Sequence, residues 1–214
     1  MNNEKKLPLQ IWILTLAAFA IGTAEFIIAG VLKDVASAFN ITSGEAGNFI
    51  GYYALSIVIG GPILTLWLSK YNKKFVLIFL MIIFVTGNLI CSIAPTYKVM
   101  LLGRIISGLT QGPFYGIGAV IATKLVRKEQ EGRAVGQMFA GLTLANVLGV
   151  PGGTFIAQHF EWNKTFIVVA ALGLITMISI MIFIRNPKEE KSEESIISQI
   201  TAFKDLRLIG SLIT

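Results

Sequence analysis

Six uninterrupted apolar stretches dictate what this chain can fold into. They lie at about 11–32, 46–68, 75–94, 98–123, 134–158 and 165–184. An α-helix rises about 1.5 Å per residue, so roughly 20 apolar residues cross a hydrocarbon core. Each stretch has that length and is too long for an ordinary strand. A membrane β-barrel needs segments of about ten residues with strict alternation, and these segments do not alternate. The chain is 54% hydrophobic and 14% charged, against about 25% charge in soluble domains. The expected fold is an all-α membrane protein with six transmembrane helices.

The division follows from these segments. Residues 1–10 form an amino-terminal segment and 11–184 the six-helix bundle. Residues 185–207 form a charged linker, and 208–214 read as the truncated start of a seventh apolar segment. Within the linker, Ile196, Ile197, Ile200 and Phe203 follow at helical spacing, the pattern of an amphipathic surface helix. The first segment resembles a signal peptide in having Lys5 and Lys6 before it. Its apolar length exceeds a secretory core, and Lys33-Asp34 interrupts before the small residues, so cleavage is not expected.

Basic residues set orientation. Placing the amino terminus in the cytoplasm puts Lys5, Lys6, Lys70, Lys73, Lys74, Lys124, Arg127, Lys128, Arg133 and Arg185 inside. Only Lys33, Lys98 and Lys164 then lie outside. Both termini of a multi-pass membrane protein are therefore expected in the cytoplasm. The net charge of +6 is a topology signal, and nucleic acid is not an expected partner. The single cysteine, Cys91, cannot form an internal disulfide.

Apart from Lys98 at the mouth of segment 4, the segments hold two charged residues, Glu25 and Arg104. A charge inside a bilayer usually faces a cavity or a partner. Counting residues from the segment ends places both ~10 Å below the outer surface. Two readings follow: a proton-titratable carboxylate beside a cation, or a structural ion pair joining segments 1 and 4. Gln111 lies two turns below Arg104 and is the best polar candidate for a substrate. Asn88, Gln137, Asn146, Tyr52 and Tyr53 are further polar residues at depth. Of these, Tyr52 and Asn146 are assigned to the cavity. Gln137 and one of the two tyrosines are better explained by bonds to neighbouring helices or by anchoring at the interface. Segments 3 and 6, almost uniformly apolar, are expected to face lipid.

Small residues let helices approach closely in lipid. Segment 4 carries Gly108, Gly112 and Gly116 at spacing four, with Arg104 on the same stripe. Segment 5 carries Gly141, Ala145 and Gly149, then Pro151, Gly152 and Gly153. Pro151 removes a backbone donor and is expected to bend its helix, as close packing or as a gate. Segment 2 has Gly60-Gly61-Pro62. Segments 2 and 5 are the second members of two oppositely oriented triplets, so this match points to two inverted three-helix repeats. No spacing suggests a metal site, a cofactor or a catalytic constellation, so an enzyme is not expected. His159 reads as an ordinary surface residue.

FAIGTAEFIIAGVLKDVASAF resembles the first helix of bacterial drug- and sugar-efflux members of the major facilitator superfamily. GYYALSIVIGGPILTLWLSKYNKK is similar to that family's second helix and basic loop, which contains Lys70, Lys73 and Lys74. LLGRIISGLTQG resembles its fourth-helix motif, and GLTLANVLGVPGGTFIAQHFEWNKTF its antiport-associated fifth-helix motif. The resemblance implies one half of a twelve-helix fold with alternating access. It implies proton-driven export, with Glu25 and Arg104 in the coupling region. It also implies that Gly149, Pro151 and Gly153 shape the packing that closes one side. Two departures stand in the basic loop: Ser69 where the family has an acidic residue, and Asn72 where it has glycine. Val150 separates Gly149 from Pro151, a variant similar to the sugar- and purine-efflux branch.

The function expected is proton-coupled efflux of a sugar, purine-like compound or drug. The lipid bilayer, protons and a carboxy-terminal six-helix half are the expected partners. A facilitator or importer of the same fold is the alternative, as is a non-transporting half that needs a second chain.

Overall fold

The structure is a computed structural model and describes residues 6–184. The linker, its amphipathic pattern and the last apolar segment lie outside the described residues. Six helices are long and apolar enough to cross a membrane: α1 (Leu9–Gly30), α2 (Ser43–Leu68), α3 (Lys73–Ser92), α4 (Tyr97–Lys124), α5 (Lys128–His159) and α6 (Trp162–Phe183). Their bounds fall within a few residues of the apolar stretches, except that α5 starts six residues earlier in a 3-10 turn, Lys128–Gln130. A short helix, Leu32–Phe39, follows α1 and ends at Asn40, whose φ of 52° is left-handed.

Local chemistry starts the helices where polar side chains can replace missing helical partners. Thr42 and Glu45 make a reciprocal capping box: Glu45 N donates to Thr42 Oγ1, and Thr42 N to Glu45 Oε2. Asn72 accepts from Lys74 N at the start of α3, and Thr96 from Val99 N at the start of α4.

Most helix contacts come in symmetric pairs, although the α5–α6 contact lacks a comparable α2–α3 counterpart. α1 packs on α5, and α4 packs on α2. α1 also packs on α6, and α4 on α3, while α3 and α6 pack on each other. Exchanging α1 with α4, α2 with α5 and α3 with α6 maps this set onto itself. That is the signature of two inverted three-helix repeats.

The glycine stripes make the first two contacts close. A side chain at Gly141, Gly149 or Gly153 would strike Thr15, Thr23 or Ile27 of α1, respectively. One at Gly108 would strike Tyr53 and Ser56 of α2, and Gly112 faces Gly61. Gly116 opens onto free space instead.

The proline signal resolves into a specific distortion. α2 widens into a π-helical turn at Ser56–Gly60, and α5 does so at Ala145–Gly149. Pro62 and Pro151 each follow two residues after the wide turn. A proline offers no N–H to the carbonyl four residues back and crowds it, and the extra residue in the turn relieves both faults. In α4 the regular helix is interrupted at Leu109-Thr110, just before Pro113, without a π-helical turn.

The expectation for α3 and α6 needs correction. Both present apolar outer faces, but half of α3 is buried between its neighbours, and α2 and α5 are the least enclosed helices. Lipid and helix neighbours are equally apolar, so uniform hydrophobicity cannot distinguish them.

Candidate functional site

Two apolar clusters divide the bundle. One gathers Leu14, Ile21, Leu77, Phe84, Phe114 and Met138. The other gathers Ile27, Val31, Phe49, Cys91, Met100 and Phe166 at the opposite end. The aromatic edges of Phe39, Phe49, Tyr97 and Trp162 close that second end. A polar layer containing Glu25, Tyr53, Arg104 and Gln111 joins α1, α2 and α4 between the clusters.

Arg104 is completely buried. Its Nε donates to the Phe49 carbonyl at 3.3 Å, and Nη2 to the Glu25 carbonyl at 3.3 Å. Nη1 donates to the Ala24 carbonyl in a short bond. The guanidinium carbon sits 4.1 Å from the centre of the Tyr53 ring, close enough for a cation–π contact. A planar fork with five donors suits such a site, where a point-like ammonium would not.

A direct ion pair between Glu25 and Arg104, the second of the two readings, is not what the geometry builds. Glu25 Oε2 instead accepts from Gln111 Nε2 at 2.8 Å. Gln111 Oε1 accepts from the Tyr53 hydroxyl at 2.8 Å. Glu25 is half-buried while Tyr53 and Gln111 are buried, so the carboxylate is anchored on one side and reachable on the other.

The remaining candidates divide. Tyr52 is 43% exposed and points away from this network, which uses its neighbour Tyr53. Asn146 lies exposed in the π-helical turn of α5. Pro151 is exposed beyond it, while Gly141, Gly149 and Gly153 are buried against α1. Lys74 Nζ donates to the Met181 carbonyl at 2.8 Å and ties α3 to the end of α6. Lys70 is exposed and Lys73 half-buried. Asn88 is buried and donates to the Phe84 carbonyl. Gln137 offers its backbone carbonyl to Thr15 at 3.0 Å.

Tyr53, named in the sequence as a polar residue at depth, was not assigned to the cavity, yet it is the tyrosine that joins the network. Its signal was helical phase: Phe49, Tyr53 and Ser56 share one face of α2, the face toward the Arg104-bearing helix.

The profile of the Major Facilitator Superfamily matches residues 14–213. The inner membrane transport protein YdhP of Escherichia coli is 41% identical over 175 residues, 82% of this chain and 44% of YdhP. A Helicobacter pylori protein named "Probable sugar efflux transporter" is 29% identical over 182 residues, 85% of this chain and 46% of that protein. The chain thus spans about half the length of the curated relatives it matches. Among solved structures, a bacterial homolog to the human lysosomal transporter Spinster superposes with a TM-score of 0.79 at 16% identity. That superposition covers 98% of this chain and 50% of the homolog, and it shows the shared fold. With its six spans, inverted repeats and a profile match over most of its length, the chain belongs to the Major Facilitator Superfamily.

Proposed function

We propose that this chain is the amino-terminal half of a proton-coupled exporter of a small molecule, such as a sugar, a purine-like compound or a drug. It would work by alternating access in a bacterial inner membrane, with both termini cytoplasmic. The observation that carries the reading is the half-buried Glu25 carboxylate, bonded to Gln111 beside a fully buried arginine. A carboxylate inside hydrocarbon that keeps one side reachable is suited to load and release a proton. The fifth-helix motif supports export, and the basic residues support the orientation. The names of the Escherichia coli and Helicobacter pylori relatives support the membrane and a sugar-like substrate. In this reading Tyr52 and Asn146 line the substrate path, and the π-helical turns before Pro62 and Pro151 give α2 and α5 their freedom to gate.

The test is reconstitution into vesicles together with a second six-helix half, with a pH-sensitive dye and a panel of sugars, purines and cationic drugs. Proton movement opposite to substrate is expected, and Glu25→Gln abolishes it while leaving membrane insertion intact. Substrate flux without any pH change would establish a facilitator instead. Flux that needs the second half would identify the chain as half of the working unit.

A further inference from the structure

Tyr53, Gln111 and Glu25 form a hydrogen-bond chain with a definite direction. The tyrosine hydroxyl donates to the glutamine carbonyl, and the glutamine amide donates to the carboxylate, each at 2.8 Å. An ionised carboxylate can only accept, so Gln111 must present its NH₂ to Glu25 and its oxygen to Tyr53. Protonation relaxes that rule. The bond from Gln111 loses its charge assistance, and the carboxylic acid becomes a donor. A Glu25 O–H then pairs best with Gln111 Oε1. That pairing turns the amide over and delivers Nε2 to Tyr53, whose hydroxyl must now accept.

We propose that Gln111 and Tyr53 are positioning residues that carry the protonation state of Glu25 from α1 into the π-helical centre of α2. The proposal rests on the reading of Glu25 as the proton site. Tyr53 stands three residues before that turn. Its carbonyl accepts from Ser56 Oγ at 2.7 Å, and Ser56 is the first residue of the wide turn. Gly108 of α4 is pressed against both residues, so Tyr53 has no room to shift alone. Its ring also lies under Arg104, which holds the Phe49 carbonyl one turn earlier. Tyr53 is therefore the side chain through which α2 meets both members of the charged layer. A wide turn next to a proline is a place where helical register can change.

Other ionisable groups near this layer are few. α4 contributes Arg104 and Tyr115, the latter donating to the Ala18 carbonyl, and α3 contributes the buried Cys91. The described ionisable residues of α5 and α6 lie toward their ends: Lys128, Glu129, Glu131, Arg133, His159 and Lys164, with Glu161 between the helices. Glu25 is the carboxylate of the layer.

The experiment combines two readouts on the full chain in lipid vesicles at acid and alkaline pH. Infrared difference spectra follow the carboxyl band of Glu25. Hydrogen exchange, corrected for the intrinsic effect of pH, follows residues 53–62. In the wild type the carboxyl band titrates and the α2 exchange rate changes several-fold with it. Glu25→Gln removes the band and freezes α2 at one rate. Tyr53→Phe keeps the ring under Arg104 and keeps the titrating band, but the α2 rate no longer follows pH. Adding Tyr53→Phe to Glu25→Gln changes nothing further. A wild-type α2 response in Tyr53→Phe, with Glu25 still titrating, overturns the relay. A wild type with no titrating Glu25 band overturns the proton-site reading itself, and the relay with it.

Discussion

The Arg104 guanidinium reaches Glu25 through the backbone and not through the opposite charge. Nη2 donates to the Glu25 carbonyl at 3.3 Å, whereas the carboxylate is held by Gln111. The two charges share one layer, yet the donors of the arginine are occupied by carbonyls of α1 and α2. Under the proposed reading, a proton arriving at Glu25 would therefore leave the hydrogen-bond partners of Arg104 in place, whereas in a direct ion pair neutralising one member would leave the other buried and uncompensated.

Arg104→Lys tests the carbonyl cradle. Lysine keeps the charge but cannot serve three carbonyls and a ring face from one plane. Leaving buried groups unsatisfied costs about 1–3 kcal/mol, so the variant melts at a lower temperature in detergent. An unchanged melting temperature would show that the cradle contributes nothing to stability.

The glycine stripes predict opposite outcomes a few residues apart. Gly141→Val or Gly149→Val drives a branched side chain into Thr15 or Thr23 of α1. Overpacking of this kind costs about 1–3 kcal/mol, and α5 is pushed away from α1. Gly116→Ala and Gly152→Ala meet open space and should leave stability within about 0.5 kcal/mol of wild type. Steric-trap unfolding in bicelles reads both pairs, and equal losses at all four positions would contradict the packing.

Pro62→Ala and Pro151→Ala restore the amide proton whose absence each wide turn accommodates. The turns at Ser56–Gly60 and Ala145–Gly149 are expected to relax to regular α-helix, and their amides to exchange more slowly. The same variants should transport more slowly, since the turns supply the flexibility assigned to α2 and α5. Unaltered exchange at both turns would mean that the prolines do not maintain them.

Thiol labelling separates the buried and open parts of the polar belt. Cys91 is completely buried, with its thiol directed at the Met100 carbonyl. It should resist a water-soluble maleimide until the protein is unfolded. In a Cys91→Ser background, Tyr52→Cys and Asn146→Cys should label readily if these positions line a water-filled path. Rapid labelling of native Cys91 would be incompatible with the packing around it.

How far these features could be read beforehand depends on which interaction produces them. The six spans follow from apolar length alone, because the bilayer imposes one dimension on every helix. Glu25 and Arg104 stand out for the same reason, as charges where few are tolerated. Their relative geometry did not follow, since equal depth says nothing about which atom of Glu25 the guanidinium meets. Tyr52 and Tyr53 are chemically identical neighbours, and only the rotation of α2 against α4 decides that Tyr53 joins Gln111. The prolines announced a distortion, but the π-helical form of it depends on the backbone upstream. The lipid-facing reading of α3 was incomplete, since half of that helix is buried in the bundle, and burial in a bundle and burial in lipid select the same side chains.

The cradle around Arg104 also bears on biosynthesis. Its carbonyl acceptors belong to α1 and α2, and both are made before the fourth segment leaves the ribosome. The ligands of the arginine thus precede it in synthesis, and a correctly assembled first repeat lowers the cost of lodging it in hydrocarbon. A first repeat that has misassembled offers no such berth. The cost of the stranded charge, about 2.5–3.5 kcal/mol on insertion scales, would then weigh against insertion of the fourth helix.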